Sequence, residues 1–246
     1  MKRLLIGYDG SPAANAAVED LVHACLSSPV EALVLSVADV WLPPEEAAVD
    51  RPTPGNLAGS ESVFGDDTDL YAKARAVLES SRITAAQGAQ RLARLFPDWR
   101  VTAEAMADSP GWGLVERART WKANLIVVGA HSHTPLQRFF FGSAASAVVL
   151  QASCSARISR PGKLSTHRAR RILLAVDGAP ESEQAARETA RRTWPSETEI
   201  RVLTVLDPKL EVAAARSDGF ARPWLQEHYH GTNETISAMT VKSSTG

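Results

Sequence analysis

The sequence predicts an α/β fold: a doubly wound open parallel sheet of five strands, followed by a partial second copy of the same unit. Two observations carry the fold class and a third carries the copy. Apolar runs alternate with stretches of helical period in the order β-α-β-α-β-α-β-α-β over the first 160 residues. The first run is continuous rather than alternating, as strands buried on both faces are. The opening residues then return far downstream in an unchanged register.

Residues 3–8 form the first apolar run, which ends at Asp9-Gly10-Ser11-Pro12. Ser11 suits a helix N-cap and Pro12 the first helical position. Ala14, Ala17, Val18, Leu21, Val22 and Cys25 follow at helical spacing and predict one buried stripe, with Cys25 a core residue rather than a reactive thiol. Residues 32–37 read as the second strand, closed by Asp39. The Pro-, Gly- and acid-rich stretch 43–69 is the poorest candidate for order in the first half. Residues 70–96 form a long helix with Leu70, Ala74, Val77, Leu78, Ser81, Ala85, Leu92 and Leu95 on its expected inner face.

Residues 100–106 alternate as a strand, and Ser109-Pro110 repeats the cap-and-proline start. Leu114, Val115, Ala118 and Trp121 continue that helix. Residues 125–128 are the fourth strand, 143–152 the fourth helix, and 155–159 a fifth strand roughened by Arg157. In such sheets ligands bind at the carboxyl ends of strands where the strand order reverses. Asp9 and Gly129 both stand at strand carboxyl ends, so they are the expected rims of one crevice.

With 44% hydrophobic and 22% charged residues the composition is that of a globular protein with a sizeable core. A net charge of -1 gives no reason to expect nucleic acid or an acidic membrane as a partner. Two cysteines make neither a disulfide framework nor a zinc knuckle. The first apolar run is cut short by Asp9, and no run reaches the roughly 20 residues of a membrane span, so a cytoplasmic protein is expected.

The stretch 125–149, LIVVGAHSHTPLQRFFFGSAASAVV, concentrates the functional signals. A strand, a loop with glycine at both ends and a helix starting at Ser143 present backbone N–H groups to an anion. No Gly is followed by Lys-Ser or Lys-Thr at Walker A spacing. His131 and His133 form an H-x-H without a third ligand, so no metal site is expected there, and His228 and His230 offer less. Phe139, Phe140 and Phe141 read as packing or contact residues before a base-stacking platform. Cys154 reads as structural. No His or Lys can be set beside Asp9 as a catalytic partner, so Asp9 reads as a binding residue.

After Pro161-Gly162 and a basic linker, RRILLAVDGAP repeats KRLLIGYDGSP, and Asp177 falls 168 positions after Asp9. The same offset carries Val34, Leu35, Val37 and Asp39 onto Val202, Leu203, Val205 and Asp207. An ungapped register across a helix predicts a duplicated unit. At that offset no residue corresponds to Gly129, so Asp177 has no phosphate loop and no ligand is expected there. The expected division is 1–160, a linker over 161–169 and an incomplete unit over 170–246, partly disordered or weakly helical from Pro208 onward.

Assembled, these residues resemble the universal stress protein family. LLIGYDGS carries the first strand and helix start, and LIVVGAHSHTPLQRFFFGSAASAVVLQASC corresponds to the family's loop pattern of Gly, two residues, Gly, nine residues, Gly, Ser/Thr. The resemblance implies an adenine nucleotide alpha-hydrolase-like fold and a stress-response protein that binds ATP or a related adenine nucleotide, often with a divalent metal such as Mg2+. It places Asp9 and the backbone of Val37 near adenine and ribose, and Gly129, Gly142 and Ser143 at the phosphates; His131 and Ser132, within the same loop, are read as lining it. It also implies a homodimer through the fifth strand, an arrangement that a charged edge residue such as Arg157 discourages.

Ser132 stands where the family pattern has its second glycine. A left-handed backbone at that position costs a non-glycine residue about 1–2 kcal/mol, or roughly 5- to 30-fold in affinity. The alternative reading is a dimeric interaction protein of the same family with a degenerate loop and no nucleotide. Catalysis, if any, amounts to slow ATP hydrolysis. Asp-Gly-Ser, in place of a Ser-Gly-Gly loop after the first strand, argues against an AMP-forming enzyme.

Overall fold

The structure is a computed structural model. It describes residues 2–26, 29–42, 67–130, 142–161, 171–205 and 236–242, with 67–69 and 236–242 as backbone only. The chain divides into two compact units, Met1–Leu164 and Ser165–Gly246.

Unit 1 runs β1 (Lys2–Gly7), α1 (Pro12–Asp20), β2 (Val30–Ala38), α2 (Asp67–Leu95), β3 (Arg100–Ala107), α3 (Pro110–Trp121), β4 (Leu125–Gly129), α4 (Ser143–Gln151) and β5 (Ser155–Ser159). The five strands are parallel in the order β3-β2-β1-β4-β5. The order reverses between β1 and β4, which fixes the switch point. The helices divide accordingly. Leu4, Ile6, Val34 and Val127 face one core with Ala17, Val18 and Leu21 from α1 and its extension, and Leu92 from α2. Leu5, Leu35, Ile126 and Val128 face the other core with Leu114 and Ala118 from α3 and Val148 from α4. The doubly wound five-stranded sheet is therefore as the sequence predicts.

Three local expectations fail for identifiable reasons. The first helix stops at Asp20 and tightens into a 3-10 turn over Leu21–His23. At three residues per turn Leu21 and Ala24 stay buried while Val22 swings out to 51% exposure. Cys25 lies only half-buried in a left-handed conformation, φ 48°, and is not a core residue. In α2 the buried seam is Ala74, Ala85, Gly88 and Leu92, whereas Leu70, Val77 and Leu95, expected on the same inner face, are exposed. Ser109 makes no side-chain cap; Asp108 Oδ1 accepts the Ser109 N–H at 2.7 Å instead.

Unit 2 contains β6 (Arg171–Ala175), α5 (Pro180–Ala190), β7 (Glu199–Val205) and β8 (Ile236–Lys242) in the sheet order β6-β7-β8. The strand-helix-strand start keeps the geometry of unit 1 at the same offset of 168. Arg3 pairs Glu31 in register, and Arg171 pairs Glu199. Tyr8 N–H bonds Leu35 O at 2.9 Å, and Val176 N–H bonds Leu203 O at 2.9 Å. Gly10 and Gly178 share φ 77°. The tail corrects the expectation of weak helix, because Ile236–Lys242 is a strand. It pairs β7 on the side where β3 pairs β2, but runs antiparallel. The alternating, β-branched run Ile236, Thr240, Val241 suits a sheet position.

Candidate functional site

The crevice is set by strand register. β1 pairs β2 as far as Gly7 with Leu35, and β4 as far as Ile6 with Val127. Continued, these registers put Asp9 level with Val37 on one side and Ala130 on the other. Asp9, Val37 and Gly129 thus come together at the carboxyl ends of the three central strands.

Asp9 is exposed, and its Oδ1 accepts the Ser11 N–H at 3.0 Å. Ser11 Oγ in turn accepts the Ala14 N–H at 3.1 Å, capping α1. Gly10 at φ 77° makes the tight reversal that lets both bonds form. Asp177 repeats the brace, its Oδ1 accepting the Ala179 N–H at 2.9 Å.

Gly129 has a role that the loop pattern did not suggest. A Cβ there would overlap the Ala13 carbonyl and lie 2.7 Å from Ala14 N. Glycine at this position is what allows the first turn of α1 to sit on the end of β4. Val37 is half-buried and its side chain packs toward Gly113 and the α3 face, leaving its main chain as the part available to the crevice.

Gly142 is the N-cap of α4 with φ −59°, an ordinary conformation, and among the described residues no side chain caps that helix. Ser143 is exposed as its first residue. The first amides of α4 thus point out of the helix without an intrahelical acceptor, as an anion site requires. His131, Ser132, His133, Phe139, Phe140 and Phe141 lie outside the described residues, as do His228 and His230.

Two site-supporting residues escaped the sequence reading. Tyr8 Oη donates to Asn15 Oδ1 at 2.7 Å, and Asn15 Nδ2 donates to Gly10 O at 3.4 Å, tying the Asp9 turn to α1. The Tyr8 ring packs against Gly88 of α2, where a Cβ would lie 2.6 Å from it. The available signal was a tyrosine among aliphatic strand residues and an asparagine in an alanine-rich helix.

At the far edge of the sheet, Arg157 Nε donates to Asp20 Oδ2 at 2.8 Å and Ser159 Oγ donates to the same oxygen at 2.6 Å. Burial opposes ionisation of Asp20, yet these hydrogen bonds and the Arg157 charge outweigh it and hold the carboxyl below its ordinary range. Cys154 is half-buried. Burial pushes its thiol up more than a backbone hydrogen bond at Ile126 lowers it, which disfavours the reactive thiolate. No group of metal-binding side chains occurs among the described residues, and none of their helices is long and apolar enough to cross a membrane.

A family model described as the universal stress protein family matches residues 1–160. The fold is also similar to that of a universal stress protein from Archaeoglobus fulgidus, 16% identical with a TM-score of 0.58, over 87% of this chain and 71% of that one. Universal stress protein UspA from Lactobacillus plantarum is 22% identical with a TM-score of 0.48, over 65% of this chain and 97% of that one. An Arabidopsis thaliana protein of the same family, solved with AMP bound, is 12% identical with a TM-score of 0.41, over 66% and 94% of the two chains. At these identities the likeness concerns the fold alone. No curated protein matches the chain.

Proposed function

Since the chain belongs to the universal stress protein family, we propose that it is a stress-response protein that binds ATP or a related adenine nucleotide between Asp9 and the Gly129–Ser143 loop. The observation that carries this reading is the alignment of Asp9, Val37 and Gly129 at the switch point, with the uncapped start of α4 following the same loop. Asp9 and the Val37 main chain hold the nucleoside. Gly142, Ser143 and the loop residues His131 and Ser132 take the phosphates, each helix-terminus contact contributing about 0.3–2 kcal/mol. Mg2+ would accompany the nucleotide as an ion bound mainly through its phosphates. Residues 1–160 form the nucleotide-binding domain, 161–169 the linker and 170–246 an incomplete second unit.

Calorimetric titration of the full chain with ATP tests the reading. Heat that saturates at millimolar ligand and is lost in Gly142→Val is expected; a flat trace for the unaltered chain sinks it.

The second reading is a dimeric interaction protein that pairs through β5. Here Arg157, expected to charge that edge, turns onto α1 and is neutralised by Asp20, which leaves the strand free of an outward cation. It predicts a stable dimer with no nucleotide response.

A further inference from the structure

Unit 2 repeats the start of unit 1, but among the described residues no helix lies over the face that α3 and α4 cover in unit 1. Leu5 is 0% exposed, whereas Leu173 at the same place in the repeat is 64% exposed. Val37 is half-buried and Val205 is 70% exposed. Helix α1 buries Ala13, Ala14, Ala17 and Val18, while α5 buries nothing.

The edge of the sheet is open in the same place. β6 ends the order β6-β7-β8, and among the described residues no strand lies on its outer side. Val176 N–H bonds Leu203 O, so the backbone groups of even-numbered residues face β7. By alternation the N–H and C=O groups of Arg171, Leu173 and Ala175 face outward. Unit 1 shows the same alternation, since Arg3, at the position of Arg171, directs its N–H to Asn124 Oδ1 and its C=O to Asn124 N–H, both at 2.8 Å. Residues 172–175 carry no proline or charge to protect such an edge.

We propose that β6 is a self-association edge, which pairs antiparallel with β6 of a second copy of this chain about a two-fold axis at Leu173. The occupant follows from the strand's own complementarity. On that axis Leu173 faces Leu173 of the second copy, and Arg171 faces its Ala175. Two residues beyond Ala175 stands Asp177, whose Oδ1 accepts the Ala179 N–H and whose carboxylate charge lies one diagonal step from the facing arginine. Each end of the pairing therefore joins a cation to an anion, and the two Arg171 side chains stand at opposite ends. The result is a six-stranded sheet, β8-β7-β6-β6-β7-β8, with Leu173 and Val205 of both copies on one face. The contact is isologous and closes on itself. This surface is distinct from β5 and does not depend on nucleotide binding.

A five-residue edge is small beside the roughly 1,200–2,000 Å² of a stable interface, so association is read at about 100 µM chain or above. Sedimentation of the full chain should show a dimer. Leu173→Lys, a change at an exposed position, should raise its dissociation constant by more than about tenfold, because two apolar contacts become facing cations. In a Cys25→Ser, Cys154→Ser background, Leu173→Cys should form a disulfide-linked dimer on oxidation, while Arg201→Cys, on the next strand, should not. A monomeric unaltered chain, a dimer indifferent to Leu173→Lys, or no cross-link at position 173 would overturn the proposal.

Discussion

Gly129 lies directly against the main chain at Ala13, close enough that a Cβ would stand 2.7 Å from Ala14 N and nearer still to the Ala13 carbonyl. Backbone cannot yield as a side chain does, so Gly129→Ala must push α1 off the end of β4. A loss of about 1–3 kcal/mol or more is expected in chemical denaturation. Gly142 has an ordinary φ of −59°, so its backbone conformation does not require glycine, and Gly142→Ala should leave stability within about 0.5 kcal/mol. Loss of ligand in a Gly129 variant is therefore weak evidence for phosphate contact, and Gly142 is the informative position. Equal denaturation midpoints for Gly129→Ala and the unaltered chain would refute the close approach.

The Asp20–Arg157–Ser159 cluster ties the edge strand β5 to the end of α1. Arg157→Ala should cost about 1–3 kcal/mol, since it removes a charge-assisted bond from a largely buried carboxylate. The pH dependence has a definite sign. The folded pKa of Asp20 is below the ordinary 3.8. Its contribution is therefore complete above that value and is lost as pH falls through the lower folded value. Urea midpoints of the unaltered chain and Asp20→Asn should converge on acidification below about pH 4. A gap that stays constant to pH 2 would show that Asp20 does not stabilise through its charge.

Ser11-Pro12 and Ser109-Pro110 look alike in sequence, yet only Ser11 Oγ bonds an amide of its helix. Ser11→Ala should cost about 0.5–2 kcal/mol, and Ser109→Ala less than about 0.5 kcal/mol. Thermal denaturation of the two variants side by side distinguishes them; equal losses would contradict the observed capping.

Ser109 illustrates where sequence reasoning stops. Strand runs and the presence of each helix depend on local pattern, and those were legible. What escaped depends on tertiary register. Val22 leaves its stripe because the helix tightens, and Leu70 and Val77 are exposed because the seam that packs on unit 1 is narrower than the expected face, limited to Ala74, Ala85, Gly88 and Leu92. Tyr8 and Asn15 find each other only once β1 and α1 are joined by the Gly10 turn. Arg157 read as an edge charge because its partner, Asp20, lies 137 residues away. The antiparallel β8 was missed because its partner β7 lies beyond a 30-residue interval that no short-range pattern bridges.

The nucleotide reading turns on Asp9 and Ser132. Asp9 braces its own turn through Ser11, so Asp9→Ala removes both a ligand contact and the brace, and the expected loss of ATP affinity is confounded. Ser132→Gly is the cleaner test because it restores the family pattern and removes only a hydroxymethyl group. If that loop position is left-handed when phosphate is bound, the change should tighten ATP by roughly 5- to 30-fold. Stability without ligand should move far less than the affinity, because the strain arises in the bound loop. Calorimetry on the two full-length chains reads the ratio directly. Affinity that is unchanged or weaker in Ser132→Gly would mean that the serine is compatible with the site or contributes its hydroxyl to it, and the second family glycine would then have no counterpart role in this chain.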